Sequence, residues 1–367
     1  MSDSSVDLDP PTEGDDGWQI ADPESEGFDA DLLRGIGPHF DNWDDANVHA
    51  VLIARHGKLV YERYFAGEDK AWATPLGRVT YDASLKHDLR SISKGIVSLL
   101  VGIAVDRGWI SDIDAPTLPF LPEYGDLRSP EKDSITLRHL LTMSAGLAWN
   151  EYLPYSNPAN SERQMINAPD QYRYVLEQPV ARPAGVSYAY NGGLTALLGA
   201  VLKKVSGRPI DQLAHDELFM PLGIDDVEWV RYANGTPNPA SGLRMRPRDL
   251  AKIGQLVLNQ GIWSGRRIVS ASWIEQAISP QIHGDGLFFY GFQWWIGRSL
   301  INRQEIKWAS AVGWGGQRMY VVPSLNMLVV AMAGLYDNPM LQPVVGEVIL
   351  RRYALSAAEP GRDSHIS

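Results

Sequence analysis

Cysteine is absent from the 367 residues, which excludes disulfides and thiolate metal sites and leaves the redox compartment open. Long apolar runs are also missing. None approaches the roughly 20 residues needed to cross a bilayer, and the N-terminus has no basic segment followed by an apolar one. The expectation is a soluble, cytoplasmic protein with no membrane partner. The eight histidines contain no HExxH or similarly spaced pair, so no metal and no cofactor is expected. Positive charge is in short supply: the formal net charge of −11 argues against a nucleic-acid partner. Its distribution matters more than its size. Residues 1–27 hold nine carboxylates and no Lys or Arg, leaving 35 of the 44 acidic residues against 33 basic ones. The Ser, Asp, Pro and Gly content of that stretch predicts a disordered, solvated acidic tail.

What is present is enough apolar material, 44% of the chain, for a packed core in one large domain or two. No internal repeat interrupts it. The stretch 89–108 predicts a buried helix with Ser91 and Lys94 on its first turn. A spacing of three stacks two side chains on one helical face, so the ammonium reaches the hydroxyl. An alcohol becomes a good nucleophile only when a base takes its proton, and a lysine serves if burial or a neighbouring cation lowers its pKa. Backbone N–H groups at the helix start favour a developing oxyanion there. Of nine lysines, Lys94 and Lys132 have a serine three residues before them. The Ser129/Lys132 pair lies in a charged, proline-broken loop with no apolar run behind it, so context favours Ser91.

Along the chain, 28–40 reads as a short helix. The runs 49–55 and 58–65, separated by His56-Gly57, read as a β-hairpin, with His49 and His56 as strand and turn residues rather than ligands. Residues 66–88 read as a loop leading to Ser91. Helices are expected at 135–147, 170–177, 194–206, 247–260 and 272–278, the first stopped by Gly146. Ser144 lacks the preceding glycine of a nucleophile elbow. Strand patterns return at 291–296, 306–311, 318–322 and 327–333, followed by a closing helix over 340–352. Strands at both chain ends with helices between predict one antiparallel sheet carrying an inserted helical region, an α+β protein.

A serine–lysine pair also needs a group that passes protons to a leaving group and donors that hold the oxyanion. Tyr188 and Tyr190 lie in a glycine-bounded turn before the 194–206 helix. Either hydroxyl can face Ser91 and Lys94, whose charge would favour phenolate character; both serve equally well as core tyrosines. Gly313-Trp314-Gly315-Gly316-Gln317 lies between two strand patterns, where adjacent glycines let backbone approach a substrate or simply form a tight turn.

Together and in this order, the pieces resemble the β-lactamase-type serine hydrolases: class C β-lactamases, penicillin-binding proteins, family VIII carboxylesterases and 6-aminohexanoate-dimer hydrolases. Ser91-Ile92-Ser93-Lys94 matches the SxxK motif, and the segment from His139 to Leu147 is similar to the family's LLTxxSGL. Tyr190-Asn191-Gly192 falls at the Tyr-x-Asn position, which selects Tyr190 over Tyr188. Arg248-Asp249-Leu250-Ala251 and the segment from Tyr290 to Trp295 look like the esterase and amide-hydrolase branch. The resemblance implies a β-lactamase/transpeptidase-like fold, with a sheet region over 28–90 and 286–367 and a mostly helical region over 91–285. It implies catalysis by Ser91, Lys94 and Tyr190, an oxyanion hole from the N–H groups of Ser91 and Gln317, and a pocket including Trp314, Gly315, Gly316 and Tyr152.

Two departures stand out. Gly192 replaces the asparagine of Tyr-x-Asn. Trp314 takes the first place of the Lys-Thr-Gly or His-x-Gly motif, where β-lactamases hold the substrate carboxylate, and an indole offers one N–H and no charge. The implied substrate is therefore a small neutral ester or linear amide, cleaved through an acyl-enzyme without a cofactor. A β-lactam-hydrolysing or D-peptide-cleaving enzyme and an inert binding module on this scaffold are the alternatives. The assembly is left as monomer or homodimer.

Overall fold

The computed structural model describes residues 11–358. The chain forms two compact units, one from the segments up to Asp88, Met245–Leu258 and from Arg298 onward, the other from Leu89–Arg244 and Asn259–Gly297.

The first unit is built on a sheet whose strands run in the order Gln19–Ile20, Lys58–Tyr64, Val48–Arg55, Met327–Ala333, Gln317–Val322, Gln304–Gly313. The pairings are antiparallel except that of Gln19–Ile20, which runs parallel to Lys58 and Leu59. The hairpin turn carries His56 at φ 51° and Gly57 at φ 79°, the left-handed pair that matches strand twist in a two-residue turn. Val48–Arg55 and Met327–Ala333 are buried along their whole length. Both faces of these central strands are covered, so they read as continuous apolar runs instead of alternating. The helix Pro247–Leu258 packs on Met327–Ala333 and Gln317–Val322, as does the C-terminal pair Leu341–Glu347 and Val348–Leu355. One antiparallel sheet built from both chain ends is therefore present, and the α+β class holds.

The second unit centres on two helices that pack together, Ser93–Asp106 and Gly192–Ser206. Both begin in small residues and bury nearly all of their first three turns. Leu137–Leu141 and Gln171–Glu177 lean on the latter helix and Ala271–Ala277 on the former. Asp170 and Ser270 cap the last two, and Thr136 with His139 forms a capping box, which satisfies the free N–H groups of these short elements.

Several expectations need correction. The disordered tail over 1–27 fails at its second half; residues 1–10 lie outside those described. Trp18 is buried and donates its indole N–H to the Arg248 carbonyl at 3.2 Å. Glu26 is buried against Lys58, at 2.6 Å, and His56. The acidic side chains there find cationic partners supplied by the fold, a gain that composition does not register. The expected loop over 66–88 contains a second hairpin, Ala66–Ala71 with Thr74–Thr80. The 28–40 helix is two short ones meeting at Gly35, the 135–147 helix shrinks to Leu137–Leu141, and the strand expected at 291–296 starts at Trp295. The helix Pro247–Leu258 belongs to the sheet unit, and the return from the helical unit falls at 297/298 rather than 285/286.

Candidate active site

Ser91 does not lie in the helix proper. Arg90–Ile92 form a 3₁₀ turn that leads into Ser93–Asp106, and Arg90 takes a left-handed φ of 51°, a strained state for a side chain of this size. The turn is held from outside. Leu89 N donates to Leu243 O at 2.9 Å, and the Ser93 hydroxyl donates to Arg90 O at 2.7 Å while accepting from Leu243 N at 3.2 Å. Residues three apart nearly eclipse in 3₁₀ geometry, and Lys94 Nζ lies 2.9 Å from Ser91 Oγ.

Lys94 is 1% exposed and also donates to the Ala240 carbonyl at 3.0 Å. That carbonyl is aimed by Asn238, whose Oδ1 accepts from Ala240 N at 3.0 Å and whose amide group donates to Ser241 Oγ. Tyr190 sits over the lysine, with Nζ 5.0 Å from its ring centre. Burial drives the Tyr190 hydroxyl well above its ordinary pKa, the Glu151 charge adds to the rise, and the neighbouring Ser91 hydroxyl only partly opposes it. The expectation that the Lys94 charge draws out phenolate character is overturned, because negative charge and desolvation outweigh it.

The source of that negative charge was not visible in the sequence. Glu151 accepts from Gly192 N at 2.7 Å and from Trp149 Nε1 at 2.6 Å. Glu162, buried, accepts from Tyr155 OH and from Ser241 Oγ. A Cβ added at Gly192 would stand 3.2 Å from a carboxylate oxygen of each. The two glutamates therefore occupy the space that an asparagine at this place of Tyr-x-Asn would enter. Burial first, and Glu162 second, push Glu151 up to about 7, while Lys94, the Gly192 N–H and Trp149 pull it down. The pair Glu151-Tyr152 resembles a segment of the 6-aminohexanoate-dimer hydrolases, which points to Tyr152 as a pocket residue and gives Glu151 no role of its own. Glu162 and Asn238 carried no local signal.

The Ser129/Lys132 pair does other work. Ser129 caps the turn Pro130–Asp133 by accepting from Lys132 N, and the Lys132 ammonium donates to Leu176 O. Ser144 is buried and shares a 2.8 Å hydrogen bond with Thr142.

Residues 41–344 match the beta-lactamase family model. The chain belongs to the beta-lactamase family. It is 24% identical over 317 residues to the 6-aminohexanoate-dimer hydrolase of Paenarthrobacter ureafaciens, covering 78% of this chain and 73% of that one. Over 212 residues it is 27% identical to esterase EstB of Burkholderia gladioli, covering 53% and 52% of the two chains. The solved structure of a family VIII carboxylesterase superposes with a TM-score of 0.68 at 16% identity, covering 92% of this chain and 99% of that one. The expected relation to β-lactamase-type serine hydrolases and their fold therefore holds.

Beside this beta-lactamase-family serine–lysine pair stands an aromatic wall. Trp295 packs against Tyr188, Tyr190 and Tyr290 with centroids 5.8, 6.0 and 5.2 Å away. Tyr152 lies 6.4 Å from Tyr190, is 66% exposed, and donates to Asp285. Tyr188 is the core tyrosine of the two, its hydroxyl buried without a hydrogen-bond partner.

Trp314, Gly315, Gly316 and Gln317 belong to the sheet unit, at the turn between Gln304–Gly313 and Gln317–Val322. Gly315 and Gly316 both have φ near 95°, and a Cβ at Gly315 would fall 2.4 Å from the Tyr336 ring. Both places therefore require glycine. Trp314 is 39% exposed and donates to Tyr336 O at 3.2 Å. The Gln317 side chain donates to Ala333 O at 2.7 Å and accepts from Ala333 N at 3.1 Å, which fixes the turn on the neighbouring strand.

Among the described residues, no helix is long and apolar enough to cross a membrane.

Proposed function

We propose that the chain cleaves an ester or linear amide by two-step acyl transfer through a covalent intermediate on Ser91. The observation that carries this reading is the 2.9 Å contact between Lys94 Nζ and Ser91 Oγ, with the Tyr190 ring centre 5.0 Å from the same nitrogen. Lys94, as the neutral amine, takes the proton from Ser91 Oγ as that oxygen bonds the substrate carbonyl carbon. The Ser91 N–H, near the start of a long helix, favours the oxyanion; the second donor in the proposal is the Gln317 N–H, on the strength of the resemblance. Tyr190 stays a neutral phenol and gives its proton to the departing alkoxide or amine as the carbonyl–heteroatom bond breaks, and is reprotonated from Lys94. Water then attacks the acyl-enzyme by the same proton route in reverse, releasing the acid.

Trp314 supports the choice of substrate class. A half-exposed indole whose N–H is committed to Tyr336 O offers no charge to a carboxylate, whereas a neutral ester loses nothing by its presence. The aromatic wall of Trp295, Tyr188 and Tyr290 suits an apolar acyl or leaving group.

The test is hydrolysis of p-nitrophenyl esters by purified protein. Ser91→Ala abolishes it, and Ser129→Ala, which loses only a cap, retains it; full activity in the Ser91 variant overturns the proposal. A fluorophosphonate probe labels wild type and not Ser91→Ala, whereas failure to label wild type would favour the inert module. Nitrocefin turnover matching ester turnover would favour a β-lactam substrate instead.

A further inference from the structure

A second cluster of reactive side chains lies within the sheet unit. His49 on Val48–Arg55, Asp69 on Ala66–Ala71 and His87 on His87–Asp88 bring one ligand atom each to a common point. Their side chains are 0%, 1% and 0% exposed. His49 Nδ1 is 2.9 Å from His87 Nε2, and Asp69 Oδ1 lies 4.0 and 3.7 Å from those two nitrogens.

The surrounding hydrogen bonds decide which ring nitrogens carry protons. Asn47 donates to Glu68 O at 2.8 Å and accepts from Glu68 N at 3.0 Å through Oδ1, so its amide orientation is set by a backbone that can bond only one way. His49 Nε2 faces that same Oδ1 at 3.2 Å, and an acceptor requires a donor, so the His49 proton sits on Nε2. His87 Nδ1 faces Asp88 O at 3.0 Å, which places the His87 proton on Nδ1. The two nitrogens left, His49 Nδ1 and His87 Nε2, are then both lone pairs, 2.9 Å apart and aimed at each other.

The third member makes matters worse for a site holding nothing. Asp69 Oδ2 accepts from Tyr81 OH, but Oδ1 is buried without a hydrogen-bond partner. Three electron-rich atoms thus converge in a fully buried place, an unfavourable arrangement unless a cation joins them. A bridging proton answers only part of this: it satisfies the two imidazoles and leaves Asp69 Oδ1 beyond hydrogen-bonding distance of both. A metal ion answers all of it. The nearest point equidistant from the three atoms lies in their plane, about 2.1 Å from each, so an ion held close to that plane is at Zn–N and Zn–O bonding distance. Each ligand is also oriented from behind, by Asn47, by Asp88 O and by Tyr81 OH, the outer shell that metal-binding histidines and carboxylates require.

We propose that His49 Nδ1, His87 Nε2 and Asp69 Oδ1 ligate a buried divalent cation, with Zn²⁺ the ion whose bond lengths fit, as a structural site joining the first hairpin, the second hairpin and the strand His87–Asp88. Spacing alone could not show it, because the ligands are 20, 18 and 38 residues apart.

Untagged full-length protein, purified without chelator, is expected to contain about one equivalent of zinc by elemental analysis, as a structural site does. Stripping with a strong chelator lowers its thermal midpoint and Zn²⁺ restores it. Co²⁺ added to the stripped protein gives the intense visible absorption of a low-coordinate site. Asp69→Asn and His87→Gln each lose the retained zinc and the cobalt spectrum. If either variant fails to fold, the wild-type titration decides alone. Wild type that holds no metal, and whose stripped form shows neither the cobalt absorption nor a thermal shift with Zn²⁺, overturns the proposal and leaves a proton-sharing histidine pair.

Discussion

Around Lys94 stand two carboxyls, Glu151 and Glu162, and the Lys94 charge acts on Glu151 against the effects of burial and of Glu162. Burial first, and the Glu162 charge second, push Glu151 up to about 7. An unfolded glutamate titrates at about 4.3. Between those values the folded chain holds an extra proton, so stability falls as pH rises through the window, by at most about 1.4 kcal/mol per pH unit, and levels off above it. Urea unfolding of wild type from about pH 5 to about pH 8 is expected to show that decline, and Glu151→Gln a flatter profile; parallel curves would refute the assignment. Tyr190 gives a separate test. As a neutral acid it matters most where the leaving group is basic, so Tyr190→Phe should lose roughly 10²–10⁴-fold in kcat on alkyl esters and markedly less on p-nitrophenyl esters. Equal losses on both would remove the acid role.

Among the elements, the Ser93–Asp106 helix decides whether the serine is presented at all. Its small residues exist for close packing. A Cβ at Gly102 would meet the Trp273 indole at 2.4 Å, so Gly102→Ala forfeits the usual helical gain of about 1 kcal/mol and instead costs roughly 1–3 kcal/mol. The denaturant midpoint measures it, and a stabilised variant would show that the helix and Trp273 part easily. Element existence was largely legible: both buried helices, the first hairpin and the last three strands follow from apolar runs bounded by turn residues. The elements that escaped are polar ones. The hairpin Ala66–Thr80 is mostly exposed on its second strand and carries Gly and Pro there, the composition of a loop. The 135–147 segment ends early because Met143 takes a left-handed φ of 55°.

For the molecule as a whole, the sheet unit depends on a buried ion pair that crosses three segments. Arg248 donates to both Glu62 oxygens, to Asp16 at 3.1 Å and to Thr12 O at 2.7 Å. Removing one partner strands the other without water, so Arg248→Ala should destabilise by about 3–5 kcal/mol. Deleting residues 1–27 should lower the thermal midpoint as well, since it uncovers the Trp18 site and half of the guanidinium's partners. Calorimetry of both variants checks this, and an unchanged midpoint in the truncated chain would restore the picture of a solvated tail.

The amino-acid pattern by itself determined the α+β class, the sheet drawn from both chain ends, the family, and Ser91 with Lys94 as a pair, because periodicity and a three-residue spacing are local properties of a chain. Tyr190 needed the resemblance as well. Only the tertiary structure decided the partners that arrive from a distance: Glu151 and Glu162 in the space that Gly192 vacates, the Ala240 carbonyl on Lys94, the cations that order the acidic N-terminal stretch, and the convergence of His49, Asp69 and His87. Charge and protonation depend on what surrounds a group in three dimensions, and a sequence does not contain distances.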